Sequence, residues 1–355
     1  LITKRTGYID IAKGIGILLV VLGHNALVSR FSLLLIYSFH MPLFFFLSGF
    51  FFNASIPFLE LLKKRFHGLL KPYFFTIFLI YFFYVSFGKL SLETSLWRMI
   101  KSFYAAGEYV PWLPLWFLPH LFIVSSFAFA VLKTRSHLLK NRYLYWLFLL
   151  AMLMIGVLTI DRFASFHLIL FGKTIKLYGL PFSADLLLVS AFFFLLGAEA
   201  RSVVSEKWLE NWFLLISAGI VPVVASILIP TLLDIASRMY PLPVINTIEA
   251  VAGIWFVLAL SRQIELWIPW LANALAYFGQ ISLIVLIFHY PIQSALQGKI
   301  PGVTSNAFIG EMGSFLGGVI GSVILYELFI KHNSVALYWF GVKPLKEKIT
   351  PQVDN

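Results

Sequence analysis

Four histidines, His24, His40, His120 and His289, stand inside long apolar stretches of this 355-residue chain. A neutral imidazole in such a place can take a proton from a hydroxyl as that hydroxyl attacks an acyl carbon. Asp10, Glu249 and Lys13 lie in similar surroundings. A carboxylate can orient an imidazole, and a cation suits an anionic cosubstrate or a developing oxyanion. The HxxxH, HExxH and cysteine-based spacings of metal sites are absent, so no metal is expected. With no cysteine there is also no disulfide, thiolate ligand or cysteine nucleophile.

Three of these groups share the stretch "YIDIAKGIGILLVVLGHN", Tyr8 to Asn25. At about 100° per residue, with Lys13 at zero, His24 falls near 20° and Asp10 near 60°, so all three lie on one helical face. Lys13 and His24 are then about 16 Å apart along the axis. Gly14, Gly16 and Gly23 permit close helix contact beside them. Titratable groups at membrane depth face a bundle interior or a watery cavity. For Asp10 and Lys13, a mutual pair that snorkels to the inner interface is an equally good reading.

The elements that must position these residues are membrane helices. The chain is 60% hydrophobic and 12% charged, with a mean hydropathy of +0.89. A soluble protein of this length could not hide so much apolar surface. The fold class is therefore all-α, a polytopic membrane helix bundle of about ten spans in one domain over residues 1–355. The candidate runs are 8–28, 33–53, 69–88, 115–132, 143–160, 180–200, 212–233, 245–262, 274–297 and 311–331. Pro42 and Pro222 could kink two of them. No convincing strand, internal repeat or linker is found, and the first run reads as a retained helix rather than a cleaved signal.

The net charge of +11 is better assigned to basic cytoplasmic loops than to nucleic-acid binding. With both termini in the cytoplasm, seventeen Lys and Arg fall on inside segments and nine on outside ones. The inside set includes Lys4, Arg5, Lys140, Lys343, Lys346 and Lys348. This orientation brings His24, His40, His120, His289 and Glu249 to one level in the outer half of the membrane. The long outside loops 89–114 and 161–179 are less apolar. The first carries Trp97, Tyr104, Tyr109 and Trp112, which serve either as interfacial anchors or as stacking platforms for sugar rings.

The ordered motifs "YIDIAKGIGILLVVLGH", "FHMPLFFFLSGFFF", "KKRFHGLLKPYFF", "LWFLPHLFIV" and "ISLIVLIFHYPI" resemble the acyltransferase family 3 membrane proteins, nearest the fucose 4-O-acetylase-like branch. The resemblance implies a multi-pass protein of the bacterial inner membrane. It would move acetyl from cytoplasmic acetyl-CoA to a hydroxyl of a cell-surface glycan or lipid-linked sugar.

The family's first-helix signature, a basic residue, ten residues and a histidine, falls on Lys13 and His24. Arginine is commoner at the first position, and lysine lacks its bidentate fork. The family's pair of arginines before "PY" matches Arg65, but the second position is Gly68. The implied catalytic set is His24 and His40, with Lys13, Asp10, His289 and Glu249. CoA phosphates are expected near Lys64, Arg65 and Lys71, with Lys13 on the pantetheine path. Trp116 and His120 are the substrate-side candidates. Plain topology is an equal reading of the basic cluster. A competing function is transport of a lipid-linked glycan or small solute. A structural partner of a polysaccharide synthase is a third.

Overall fold

Runs of Phe, Leu, Ile and Val bounded by Asn and Ser give the chain its helices. Asn141, Asn211 and Asn333 each accept two main-chain N–H bonds at a helix start, which satisfies donors that have no partner within the helix. A computed structural model describes residues 7–26, 28–138, 141–170, 173–299 and 306–342. Of the charges used to orient the chain, Lys4, Arg5, Lys140, Lys343, Lys346 and Lys348 lie outside the described residues.

In chain order, α1 (Gly7–Gly23) leads to α2 (Arg30–Tyr37) and α3 (His40–Phe50). Next, α4 (Phe58–Arg65) runs through a π-helical turn, Phe66–Leu70, into α5 (Lys71–Ser86). A short α6 (Leu92–Ser102) follows, then α7 (Phe117–Leu138) and α8 (Arg142–Thr159). Strands β1 (Phe166–Leu170) and β2 (Lys173–Leu177) come before α9 (Leu187–Val203), α10 (Glu206–Leu209), α11 (Trp212–Leu228) and α12 (Pro243–Trp267). The chain closes with α13 (Pro269–Gln280), α14 (Ser282–Gln297), α15 (Ala307–Leu325) and α16 (Ser334–Phe340).

Among the described residues, seven helices are long and apolar enough to cross a membrane, or up to eight with one bent pair. The count of about ten is not confirmed by these helices. The α1 and α11 helices have 17 residues each. At 1.5 Å per residue each is about 25 Å long, at the lower limit for a helix that crosses the hydrocarbon core. The run 274–297 is not one continuous helix. It belongs to α13 and α14, which bend by 78° at a break around Ile281. Pro42 sits in the first turn of α3, where its missing N–H has no helical partner to lose.

Lipid-facing and interior helices separate by burial. Phe78, Phe82 and Phe83 on α5, Leu147 and Leu150 on α8, and Phe213 and Ile216 on α11 are exposed, as a bilayer-facing rim requires. By contrast α1 is largely buried and packs against α2, α3, α12, α13, α14 and α15. Its polar groups therefore face protein. The close approach of α1 to α13 depends on two glycines. A Cβ on Gly14 would run into the Leu275 carbonyl, and one on Gly279 into the Asp10 carbonyl.

The described parts of the connections 89–114 and 161–179 meet, Tyr104 donating to the Gly179 carbonyl and Tyr109 to that of Lys176, and together form a cap. The second contains an antiparallel hairpin, with Phe166 opposite Leu177 and Leu170 opposite Lys173, so the expectation of no strands is corrected. The stretch is short and its alternation weak, so little marked it as a strand before its partner was known. On α6, Leu92, Leu96 and Ile100 form one exposed apolar edge, which Phe103 extends just past the helix end. Such an amphipathic helix suits the membrane interface.

Candidate active site

The predicted face of α1 opens on a cavity of about 320 Å³. Lys13, Ile17 and Val20 line it at helical spacing, and His24 continues their stripe by one turn. Asp10, buried at 6% exposure, lines the same end as Lys13. The Lys13 ammonium also lies 5.0 Å from the centre of the Phe51 ring. The opposite walls come from α3 through Phe44 and Ser48, from the start of α7 through Phe117 and Leu118, and from the α13–α14 break. The break places Gln280 and Ser282 on the lining, and α14 begins there. Its first N–H groups carry the positive end of a helix dipole to this end of the cavity.

Three histidines stand one turn beyond the lining residues at the other end. Val20 precedes His24 by one turn, Leu286 precedes His289, and Phe44 follows His40. The rings of His24 and His289 lie 5.5 Å apart, and Tyr290 meets His24 edge-on at 5.8 Å. The Tyr37 ring is 4.7 Å from that of His40, and its hydroxyl donates to the carbonyl of Gly23, next to His24, at 3.5 Å. The structure thus brings His24, His40 and His289 into one group.

Main-chain carbonyls, rather than a carboxylate, orient two of these rings. His40 Nδ1 lies 3.0 Å from the Ile36 carbonyl, and His289 Nδ1 lies 2.6 Å from that of Val285. A carbonyl only accepts, so each Nδ1 is assigned the proton and each Nε2 is left as the basic nitrogen of a neutral ring. The His289 Nε2 is buried and has no hydrogen-bond partner. One turn along α14, Gln293 donates to the Val21 carbonyl at 3.0 Å while its own Oε1 stays unpartnered.

His120 differs. Its Nδ1 donates to the Phe182 carbonyl at 3.1 Å, and its Nε2 pairs with the Ser190 hydroxyl at 2.8 Å. Both nitrogens are occupied, and the ring packs on Phe45 and on Trp116 at 5.3 Å. His120 and Trp116 stand behind the cavity wall that Phe117 and Leu118 form. Glu249 is buried at 2% exposure and accepts from Asn246 at 2.8 Å. Among the described residues no hydrogen bond joins it to a histidine. It reaches the group only through packing: Gly253, one turn on, would meet the Phe39 ring beside His40 if it carried a Cβ.

The basic cluster lies where the π-helical turn meets the cavity. That turn, between Arg65 and Lys71, puts Gly68 and Leu69 on the lining. A Cβ on Gly68 would meet nothing within 4 Å. Arg65 sits over the Phe52 ring at 5.4 Å, and the buried Lys71 holds its ammonium 3.6 Å from the centre of the Tyr338 ring. Lys64 is exposed and pairs with Glu60 at 2.7 Å. Single π-turns inside α-helices recur at functional sites.

Sequence reading missed Ser48, Gln280, Ser282 and Gln293. A local signal existed for two of them, since "GQIS" interrupts an apolar run with polar residues after a glycine. Ser48 and Gln293 became visible only through packing. The chain matches the acyltransferase domain family over residues 6–327. No curated protein and no solved structure gives a match.

Proposed function

The chain belongs to the acyltransferase domain family, and on that premise we propose that it is a bacterial inner-membrane O-acetyltransferase. In this reading it moves acetyl from cytoplasmic acetyl-CoA to a hydroxyl of a cell-surface glycan or lipid-linked sugar, with both termini in the cytoplasm. The motifs favour the fucose 4-O-acetylase-like branch. The observation that carries the reading is the stripe Lys13, Ile17, Val20, His24, whose first three members line one cavity. It joins a cationic end to a histidine group about 16 Å away.

CoA phosphates would dock at Arg65, Lys71 and Lys64, where charge-assisted bonds are strong. Lys13 and the start of α14 would attract the negative charge that follows the donor inward. The acyl thioester would extend along the cavity, which reconciles a donor from inside with histidines in the outer half. A relay through an acyl-enzyme is the other route consistent with this depth. In direct transfer, His24 takes the proton of the acceptor hydroxyl and the hydroxyl oxygen forms a bond to the thioester carbon. The carbon–sulfur bond then breaks, and the CoA sulfur leaves with a proton returned by the imidazolium. His40 and His289 keep basic Nε2 atoms beside His24, Asp10 sets the charge around Lys13, and Glu249 supports the shell around His40. Trp116 and His120 brace the wall on the acceptor side.

The decisive experiment supplies radiolabelled acetyl-CoA to inside-out membrane vesicles and follows label into lipid-linked and polysaccharide fractions. Label with wild type that is lost with His24→Ala supports transfer through His24. Equal label from both removes His24 from the mechanism.

One observation favours a second reading, transport of a lipid-linked glycan or solute. The α13–α14 pair is a broken helix lining a cavity, a common device of transporters. Transport needs no CoA. Acetyl-CoA binding by the purified protein, weakened in Arg65→Ala, supports transfer; no binding supports transport.

A further inference from the structure

The cap holds a second cleft, of about 730 Å³, which shares no lining residue with the first cavity. It forms where the two long connections meet. Tyr104 donates its hydroxyl to the Gly179 carbonyl at 2.8 Å, and Tyr109 donates to the Lys176 carbonyl. The cleft is lined by Tyr84, Tyr109 and Tyr178, by Arg98 and Lys101 of α6, and by Lys176 of β2. One carboxylate, Glu108, shares the lining. It accepts a hydrogen bond from Tyr178, which holds that phenol above its usual pKa.

The three cations face this space without carboxylate partners. Among the described residues none of Arg98, Lys101 and Lys176 forms an ion pair. Two lie against aromatic faces: Lys101 is 5.9 Å from the Tyr109 ring centre and Lys176 is 4.7 Å from that of Tyr178. The α6 helix divides its residues accordingly. Leu92, Leu96 and Ile100 form its exposed apolar edge, while Arg98 and Lys101 line the cleft. Trp97, at 60% exposure, is not part of the lining and suits an interfacial anchor. The two roles open for these aromatics are thus divided, with Trp97 toward the lipid and Tyr109 toward the cleft.

We propose that this cleft binds an acidic saccharide, with sugar rings stacked on the tyrosines and carboxylates of the saccharide paired with Arg98, Lys101 and Lys176. The proposal rests on the glycan-acceptor reading above and adds that the acceptor is anionic. Ring faces without cations would suit a neutral glycan equally well. Cations on a featureless surface would suit any anion. Their alternation around one cleft selects a ligand that is both cyclic and charged.

The test uses the full chain in phosphatidylcholine nanodiscs and measures binding of oligogalacturonate and of maltohexaose. Acetyl-CoA binding is measured on the same samples. The expected result is binding of the acidic oligosaccharide at least about tenfold tighter than the neutral one. That preference should fall with salt and disappear in the double variant Arg98→Gln/Lys101→Gln. Both replaced residues are exposed, so an unchanged melting temperature checks the fold. Equal affinity for the two sugars overturns the proposal, as does a double variant that binds like wild type. Displacement of oligogalacturonate by glycerophosphoglycerol at equal or lower concentration in phosphatidylcholine nanodiscs also overturns it, because a lipid headgroup would then be the preferred occupant. Lost acetyl-CoA binding with the sugar preference intact refutes the acyl-transfer reading alone. The converse result refutes this cleft alone.

Discussion

At the residue scale, the hydrogen bonds of each histidine determine what it can do. His120 has both nitrogens occupied, whereas His40 and His289 each give only Nδ1 to a carbonyl of the preceding turn. With His24 as the base proposed above, His24→Ala lowers acetyl transfer by about 10²–10⁴-fold, the usual worth of a general base, while acetyl-CoA affinity stays constant. Initial rates and calorimetric titration of the purified protein check the two halves separately. Gly68 supports a prediction in the opposite direction. Open space surrounds it at the cavity edge, beside the basic cluster. Gly68→Arg therefore folds normally and binds acetyl-CoA about tenfold tighter through a new charge-assisted contact. A titration showing no gain would place the donor's phosphates elsewhere.

At the element scale, α1 must be held close to α13 for Lys13 and the α14 start to share one cavity. Gly14 and Gly279 make that approach possible, each against a carbonyl of the other helix. Gly279→Val forces the helices apart and costs about 1–3 kcal/mol by overpacking. Thermal unfolding in detergent registers the loss as a lower midpoint, and donor binding weakens with it. The helix break has a similar logic. Its polar residues sit where α13 ends and α14 begins, and the first N–H groups of a new helix have no partner within that helix.

At the scale of the whole molecule, the connection between α11 and α12 is tied to the turn that leads into α9 by a buried ion pair. Arg238 donates to Asp185 at 2.7 Å, with side-chain exposures of 7% and 0%. Asp185 also accepts from the Leu180 main chain at 2.8 Å, at the exit from the hairpin connection. Asp185→Ala leaves Arg238 buried without its partner, and such breaks cost about 3–5 kcal/mol. The expected outcome is a strongly lowered unfolding midpoint. A midpoint unchanged in that variant would show that the fold does not depend on the pair.

Much of this protein was legible in its residues alone. A mean hydropathy of +0.89 requires a bilayer, and the 3.6-residue period puts Asp10, Lys13 and His24 on one face. Both follow from composition and local geometry, which need no knowledge of neighbours. Counting along their helices put His24, His40 and His289 at one level, and the structure brings the three into one group. Tertiary structure decided the rest. The 78° break, the wall that Ser48 and Gln280 complete, and the meeting of the two long connections all depend on segments far apart in the chain. So does the difference between His120, held on both sides, and His289, with one nitrogen unpartnered. An imidazole looks the same in any sequence; only the groups packed around it settle which nitrogen remains available to act as a base.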